Sequence, residues 1–121
     1  MAVLHYRELV AWQKAMDLVA EIYRITRSFP REELYGLTNQ IRRAAVSVPS
    51  NIAEGQGRGA GSAFAQFLRI AKGSLQEVET QLLISERLGF VAEQEVSRIF
   101  DISQEVGRVI LGLIRTCGEE K

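Results

Sequence analysis

The basic side chains on either side of a glycine-rich segment are the residues of this sequence best suited to binding chemistry. If the segments before and after the glycines form antiparallel helices, these cations gather around the turn and can bind the phosphates of RNA or DNA. No aromatic residues interleave with them to stack on bases, and a solvated or ion-paired surface is the alternative interpretation. The basic group, our candidate nucleic-acid-binding site, consists of Arg42, Arg43, Arg58, Arg69 and Lys72.

A second set of polar residues recurs within the apolar faces of the same two segments. Glu77 and Gln81 are four residues apart and share a helix face, and Gln40 and Arg43 are three apart and do the same. Antiparallel packing would let the two faces join in one hydrogen-bonded network, with a solvated face as the alternative. The predicted polar network comprises Gln40, Arg43, Asn51, Glu54, Ser74, Glu77 and Gln81.

The residues that catalysis and metal binding require are scarce. His5 is the single histidine and Cys117 the single cysteine, so neither a Glu-x-x-His di-iron site nor a zinc site can be assembled. Glu77 and Glu79 are two residues apart and cannot share a helix face, and no serine has a histidine partner in a suitable context. We therefore predict no enzyme activity, no catalytic residue, no metal and no cofactor.

The glycine-rich segment 55–61 precedes a predicted helix, as a phosphate-binding loop would. A nucleotide-binding loop needs a strand before it, and a P-loop needs Gly-Lys-Ser/Thr, and neither is present. We interpret the segment as a flexible turn between two helices.

Four amphipathic helices are predicted to hold these residues. Apolar residues repeat every three or four positions in four segments, and strand-like alternation is nowhere sustained. Phe29-Pro30 ends the first segment, the glycines end the second, and Gly89 caps the third. Pro49 lies inside the second segment, where we predict a kink, with two shorter helices as the alternative and with Ser47, Ser50 and Asn51 available to bond the freed backbone. The predicted helices span residues 6–28, 32–54, 62–88 and 92–116.

Length and connectivity favour one domain of the all-α class. A chain of 121 residues that is 46% hydrophobic can build one continuous core. Short connections force neighbouring helices to be antiparallel. We predict a single domain over residues 1–121 that forms an antiparallel up-down-up-down four-helix bundle.

Charge and segment composition bound the location and partners of the chain. The 15 basic residues balance 15 acidic ones, so the net field does not attract nucleic acid or an anionic membrane. No apolar run approaches the roughly 20 residues that span a bilayer, and the N-terminus lacks the pattern of a signal peptide. We expect a cytoplasmic protein without a membrane partner, in which Cys117 forms no internal disulfide.

The apolar faces of the first and fourth helices are wider than one neighbour could cover. Ile102 and Val109 widen the face of the fourth helix, and the first helix carries two apolar rows side by side. We predict that neighbouring subunits cover both faces in a homo-oligomer. The rows of the first helix are Leu9, Trp12, Met16, Val19, Tyr23 and Thr26, and Ala15, Leu18, Ile22 and Ile25.

Four blocks of the sequence carry a resemblance to a known family. They are Leu9–Lys14 (LVAWQK), Phe29–Leu37 (FPREELYGL), Gln40–Gly55 (QIRRAAVSVPSNIAEG) and Ile70–Leu82 (IAKGSLQEVETQL). With these blocks, the chain resembles the four-helix bundle proteins encoded within intervening sequences of bacterial 23S ribosomal RNA genes.

The resemblance implies a four-helix protomer that assembles into a homopentamer without known enzymatic activity. A related branch is similar to the accessory protein of diversity-generating retroelements, a basic pentamer that binds nucleic acid and a reverse transcriptase. The neutral charge of this chain favours the first branch. Four of the basic residues match the family: Arg42, Arg43, Arg58 and Lys72. The family usually opens the third helix with a serine followed by basic and acidic residues. Residues 60–63 lack that pattern, which removes potential phosphate contacts.

From these patterns we expect a non-enzymatic oligomeric scaffold. The basic group can add nucleic-acid binding to this role. Two alternatives stay open: the accessory protein of a diversity-generating retroelement, which binds a reverse transcriptase and RNA or DNA, and a structural interaction protein that binds no nucleic acid.

Overall fold

Four long α-helices account for most of the chain. The computed structural model describes residues 5–59 and 61–119. Helix α1 spans Val10–Thr26, α2 spans Leu37–Gly57, α3 spans Ser62–Arg87 and α4 spans Glu93–Glu119, and no strand occurs in the described ranges. The predicted all-α four-helix fold is confirmed.

Each helix packs against two others, in the cyclic order α1, α2, α3, α4. Contacts between α2 and α3 pair Gln40 with Gln81 and Ser47 with Ser74, so residue numbers rise on one helix as they fall on the other. Helices α1 and α4 follow the same rule, because Lys14 pairs with Glu105 and Arg24 with Glu95. These neighbouring helices are therefore antiparallel.

One hydrophobic core lies between the four helices. On α1, the row with heptad-like spacing was expected to face this core, but most of the buried residues belong to the second apolar row. Leu18 and Ile22, from the row predicted as the secondary one, are fully buried. Met16 and Tyr23, from the predicted main row, are exposed at the boundary between α1 and α2. The core row is completed by Ala11, Ala15 and Ile25.

The helix ends differ from the predicted boundaries where the backbone leaves the helical region. Leu9 is extended and separates α1 from a 3₁₀ turn at Tyr6–Glu8, so the first helix begins later than residue 6. The second helix begins at Leu37 rather than residue 32, after a 3₁₀ turn at Arg31–Glu33 and the non-helical Gly36. Gly89 has the predicted positive φ, +80°, and the Phe90 N–H donates to the Ser85 carbonyl oxygen in the adjoining C-terminal cap.

Helix α2 continues across Pro49, which excludes the alternative of two shorter helices. Proline frees the carbonyl of the residue four positions earlier, here Ala45. The Asn51 side-chain amide donates instead to the Ser47 carbonyl oxygen at 2.8 Å and to its hydroxyl at 2.9 Å, so the predicted rescue of the freed group is not formed by Asn51.

The glycine-rich segment is a turn over only part of its predicted length. Gly55 and Gly57 belong to α2, and the positive φ angles of Gly59 and Gly61 mark the turn itself. Gly55 faces α3 so closely that an added Cβ would lie 2.6 Å from Cβ of Phe67. This glycine therefore allows the two backbones to approach.

A four-residue ion network ties α1 to α4 at the surface. Arg24 and Arg98 each bind both Glu21 and Glu95. Hydrogen bonds from Arg24 first, and then from Arg98, lower the pKa of Glu95 to about 2, and a bond from Arg98 is the main cause of a lowered pKa at Glu21. The network favours the ionised carboxylates in the folded state.

Candidate interaction surfaces

The structure does not bring the five residues of the basic group together. Arg42 lies on α2 and Arg58 is its C-cap residue, sixteen positions later, which separates them by about 24 Å along the helix axis. Lys72 lies on another side of the bundle, in a cleft between α3 and α4 that Glu79 and Arg108 also line. The cations therefore form no single phosphate-binding patch within one chain.

Arg42 is held in place by α1 and is half-buried. Its Nε donates to Oγ1 of Thr26 at 2.8 Å, and its guanidinium carbon lies 4.6 Å from the centre of the Tyr23 ring. Two contacts on one neighbouring helix fix the direction of this side chain. Arg42 accordingly joins α1 to α2.

Arg58 and Arg69 lie on the outer surface, in different settings. Arg58 pairs with Glu54 at 3.0 Å and lies over the Phe67 ring, 5.2 Å from its centre. Both partners of the ion pair are more than half exposed, so the pair contributes little to stability. Arg69 is exposed on α3 and has no hydrogen bond or ion pair within the described ranges.

Arg43 lines a surface groove, which we call the α2 groove. The groove has a volume of about 790 Å³ and runs from the end of α1 along the N-terminal half of α2. Its walls hold two guanidinium groups and no carboxylate. The lining residues are Tyr23, Leu34, Tyr35, Thr38, Asn39, Arg42, Arg43, Val46 and Ser47.

Tyr35 is the most exposed large apolar residue of this groove, and it is not among the candidate residues predicted from the sequence. Its exposed fraction is 91%, and it precedes Gly36 in the connection that leads into α2. Leu34 falls within the predicted second helix, but it is 47% exposed because the helix begins only at Leu37. The signal was the Tyr-Gly pair, since glycine often marks the point where a helical row stops.

The predicted polar network exists as separate pieces rather than as one network. Ser74 on α3 bonds to Ser47 on α2 at 2.8 Å, and Ser47 also accepts from Asn51. Nε2 of Gln81 donates to Oε1 of Gln40 at 3.3 Å, whereas Oε1 of Gln81 is buried without a partner. The third piece is the surface pair of Glu54 and Arg58, described above.

A polar cleft of about 420 Å³ between α2 and α3 contains the remaining members of that set. Arg43 and Glu77 line it from opposite walls, together with Asn39 and Gln40. Both charged side chains are exposed, and they form no ion pair with each other. Neither has another hydrogen-bond or ion-pair partner in the described part of the chain, so both are available to an external group.

An exposed apolar surface crosses the boundary between the first two helices, and we call it the α1/α2 face. Met16 and Tyr23 on α1 and Val46 on α2 are its exposed members. Beside them lies a mostly apolar depression of about 350 Å³, into which Trp12 and Pro49 also project. Because Tyr23 and Val46 also line the α2 groove, the face and the groove are continuous.

A second exposed apolar surface lies on α3, and we call it the α3 ridge. Leu83, Ile84 and Leu88 are 48%, 43% and 55% exposed, and with Thr80 and Arg87 they surround a shallow depression. The wide face predicted on the fourth helix is not the second exposed surface, because Ile102 and Val109 pack against the core. The two exposed apolar surfaces defined above therefore lie on α1, α2 and α3, while Leu111 is an exposed apolar residue of α4.

His5 and Cys117, the single histidine and the single cysteine, do not belong to the surfaces described above. His5 is exposed, and its Nδ1 accepts from the backbone N–H of Arg7 at 3.2 Å, whereas Cys117 is buried in the core. Within residues 5–59 and 61–119, no three histidine, cysteine, aspartate or glutamate side chains group as metal ligands would. No helix in those ranges is both long enough and apolar enough to cross a membrane.

Comparison with known proteins gives one family and one fold. A family model described as 23S rRNA-intervening sequence protein matches residues 7–112. A crystal structure of a protein of unknown function from the S23 ribosomal protein family of Bacteroides thetaiotaomicron is similar, with a TM-score of 0.80 and 21% identity over 88% of this chain and 96% of that one. No curated protein matches the chain.

Proposed function

The chain belongs to the 23S rRNA-intervening sequence protein family, and on that premise we propose that it is a non-enzymatic, self-assembling scaffold, most simply a homopentamer. The observation that carries the proposal is the presence of two separate exposed apolar surfaces, the α1/α2 face with its groove and the α3 ridge. The pentameric number comes from the family resemblance.

Burial of these surfaces supplies the driving force for assembly. A soluble monomer rarely exposes a contiguous apolar patch of more than a few hundred square ångströms. Complete burial of an aliphatic side chain contributes about 1.5–3 kcal/mol relative to exposure, and several such side chains are exposed on each surface. Association hides them from water without any change in the bundle.

The mass of the particle in solution tests this proposal. Sedimentation velocity at micromolar concentration should give a species near five times the 13.6 kDa chain mass. A monomer at the same concentration would contradict it. Another closed assembly would retain the scaffold and overturn the pentameric number.

The chain's polar residues support a binding role rather than a catalytic one. Arg43 and Glu77 are unpaired in an open cleft and lack a histidine or cysteine partner nearby.

We propose a location in the bacterial cytoplasm, since the single cysteine is buried and gives no reason to expect an oxidising compartment.

Binding of single-stranded nucleic acid is a second candidate function, and one observation favours it. Tyr35, nearly fully exposed, lines the same groove as the unpaired cation of Arg43. Single-stranded RNA and DNA bind where an aromatic ring stacks on a base and cations contact the backbone. No aromatic residue interleaves with the basic group in the sequence, but Tyr35 lines the same groove as Arg42 and Arg43.

Fluorescence anisotropy with labelled single-stranded RNA tests this second function. Binding should weaken as salt rises, and Arg43→Ala and Tyr35→Ala should each reduce affinity by about tenfold. Arg69→Ala is the matched control, because Arg69 is an exposed, unpaired arginine away from the groove. Equal losses in all three variants, or binding that does not respond to salt, would overturn the groove as the site.

A further inference from the structure

We infer that the two apolar surfaces bind each other between copies: the α3 ridge of one subunit docks in the α2 groove of the next. This inference rests on the proposed self-assembly and goes further, because it names the surface that each subunit offers to each neighbour. The groove and the ridge are therefore the two halves of one interface, and a groove occupied by a ridge is closed to single-stranded nucleic acid.

The shapes of the two surfaces fit this arrangement. The groove is a concave surface with apolar walls that include Leu34 and Val46. The ridge is the outer side of a single helix, on which Ile84 and Leu88 are one turn apart. An amphipathic helix that places residues four apart into an apolar groove is a recurrent mode of protein recognition.

Charge argues against pairing of the groove with a second groove. The groove holds Arg42 and Arg43 and no carboxylate among its lining residues. Two grooves related by a twofold axis would bring four guanidinium groups together, and such like-charge contacts are strongly unfavourable.

The side of α3 that carries the ridge offers an opposite charge. Glu77 is seven residues, or about two turns, before Ile84, so the two side chains lie on nearly the same side of the helix. Its carboxylate is unpaired and exposed. A docked ridge can thus present Glu77 to the cations of the neighbouring groove. The ridge's own cation, Arg87, lines the same depression as Ile84 and Leu88, so Glu77 is the group of opposite charge in this contact.

A contact between two different surfaces, a ridge and a groove, is also needed if both surfaces of every subunit are to be covered. Pairing of two ridges would hide Ile84 and Leu88 but leave the groove and the α1/α2 face exposed to water. A ridge-to-groove contact uses one surface of each kind and leaves the other free for a further copy. Such a heterologous contact repeats from subunit to subunit, and it forms a ring where the rotation between subunits closes.

Two surface variants, studied separately and then mixed, test the inference. Val46→Lys places a third cation in the groove, and Ile84→Lys places a charge on the ridge. Each variant alone should be monomeric, with association weakened by at least about thirtyfold. An equimolar mixture should form a heterodimer, because the intact ridge of the first variant can bind the intact groove of the second.

The controls separate the failure of this inference from the failure of self-assembly. Leu111→Lys, on the exposed side of α4, should assemble as the wild type does, and circular dichroism should show equal helix content in all variants. A monomeric wild type would contradict self-assembly itself. An assembly that survives Ile84→Lys, or a variant mixture that stays monomeric, would overturn only the ridge-to-groove pairing.

Discussion

Arg42 on α2 donates a hydrogen bond from Nε to Oγ1 of Thr26 on α1, at a distance of 2.8 Å. The Thr26 hydroxyl in turn donates to the Ile22 carbonyl oxygen at 2.7 Å, and it is buried. The arginine therefore closes a short hydrogen-bonded chain between two helices. Its neighbour Arg43 makes no such contact.

Arg42→Ala should lower the free energy of unfolding by about 1–3 kcal/mol, because a charge-assisted hydrogen bond and a cation–π contact are lost together. Chemical denaturation monitored by circular dichroism measures the change. Arg43→Ala is the matched control on the same helix and should stay within about 0.5 kcal/mol of the wild type. Equal effects of the two substitutions would show that the contacts with Thr26 and Tyr23 are not stabilising.

Gly55 is packed closely against α3, whereas Gly73 faces open space, so alanine should have opposite effects at the two positions. Gly55→Ala should destabilise the fold by about 1–3 kcal/mol, since its Cβ would lie 2.6 Å from Cβ of Phe67 and force α2 and α3 apart. Gly73→Ala should stabilise it by about 0.5–1 kcal/mol, because nothing lies within 4 Å of the added Cβ. Thermal unfolding of both variants measures the contrast, and a stabilising Gly55→Ala would contradict the close approach.

A third prediction concerns the buried amide of Gln81. Gln81→Met should be neutral or stabilising by up to about 1 kcal/mol, because it removes a buried oxygen without a partner and gives up only a long bond of 3.3 Å to Gln40. Ser74→Ala should instead lower stability by about 1 kcal/mol, since its bond to Ser47 is 2.8 Å long. Strong destabilisation by Gln81→Met, measured by urea unfolding, would indicate that the amide has a partner in solution.

The ion network between α1 and α4 predicts a dependence of stability on acid pH. The pKa of Glu95 is lowered from 4.5 to about 2, with that of Glu21 also lowered, so the folded state binds protons more weakly than the unfolded state. This contribution is complete above the unfolded value of 4.5 and is lost as the pH falls towards about 2. Stability should therefore decrease with acid over this range.

Glu95→Gln tests the network directly. The melting temperature of the variant should fall below that of the wild type at pH 7, and the difference should shrink towards pH 2 and at high salt. Glu86→Gln is a suitable control, as Glu86 lies outside the network. A difference that is the same at both pH values would contradict the role of the ionised carboxylate.

The fold could be predicted from the sequence because helical periodicity depends only on local spacing. The identity of the core row in α1 could not, since Leu18 and Met16 both belong to rows with helical spacing. The choice between them depends on where α2 and α4 lie. The structure buries Leu18 and exposes Met16.

The candidate site was harder to predict because it depends on the register between helices. Antiparallel packing places Gly55 against Phe67 and Ser47 against Ser74. Along the helix axis, Arg43 is therefore far from the glycine turn. Simple counting along α2 would already have separated Arg42 from Arg58. Tyr35 could be placed beside the arginines only once the start of α2 was known.

Both the scaffold function and the ridge-to-groove interface require self-assembly, and native mass spectrometry of the intact chain measures it most directly. We predict a closed oligomer of five 13.6 kDa chains that persists on dilution through the micromolar range. The mass of a single chain across that range would contradict self-assembly.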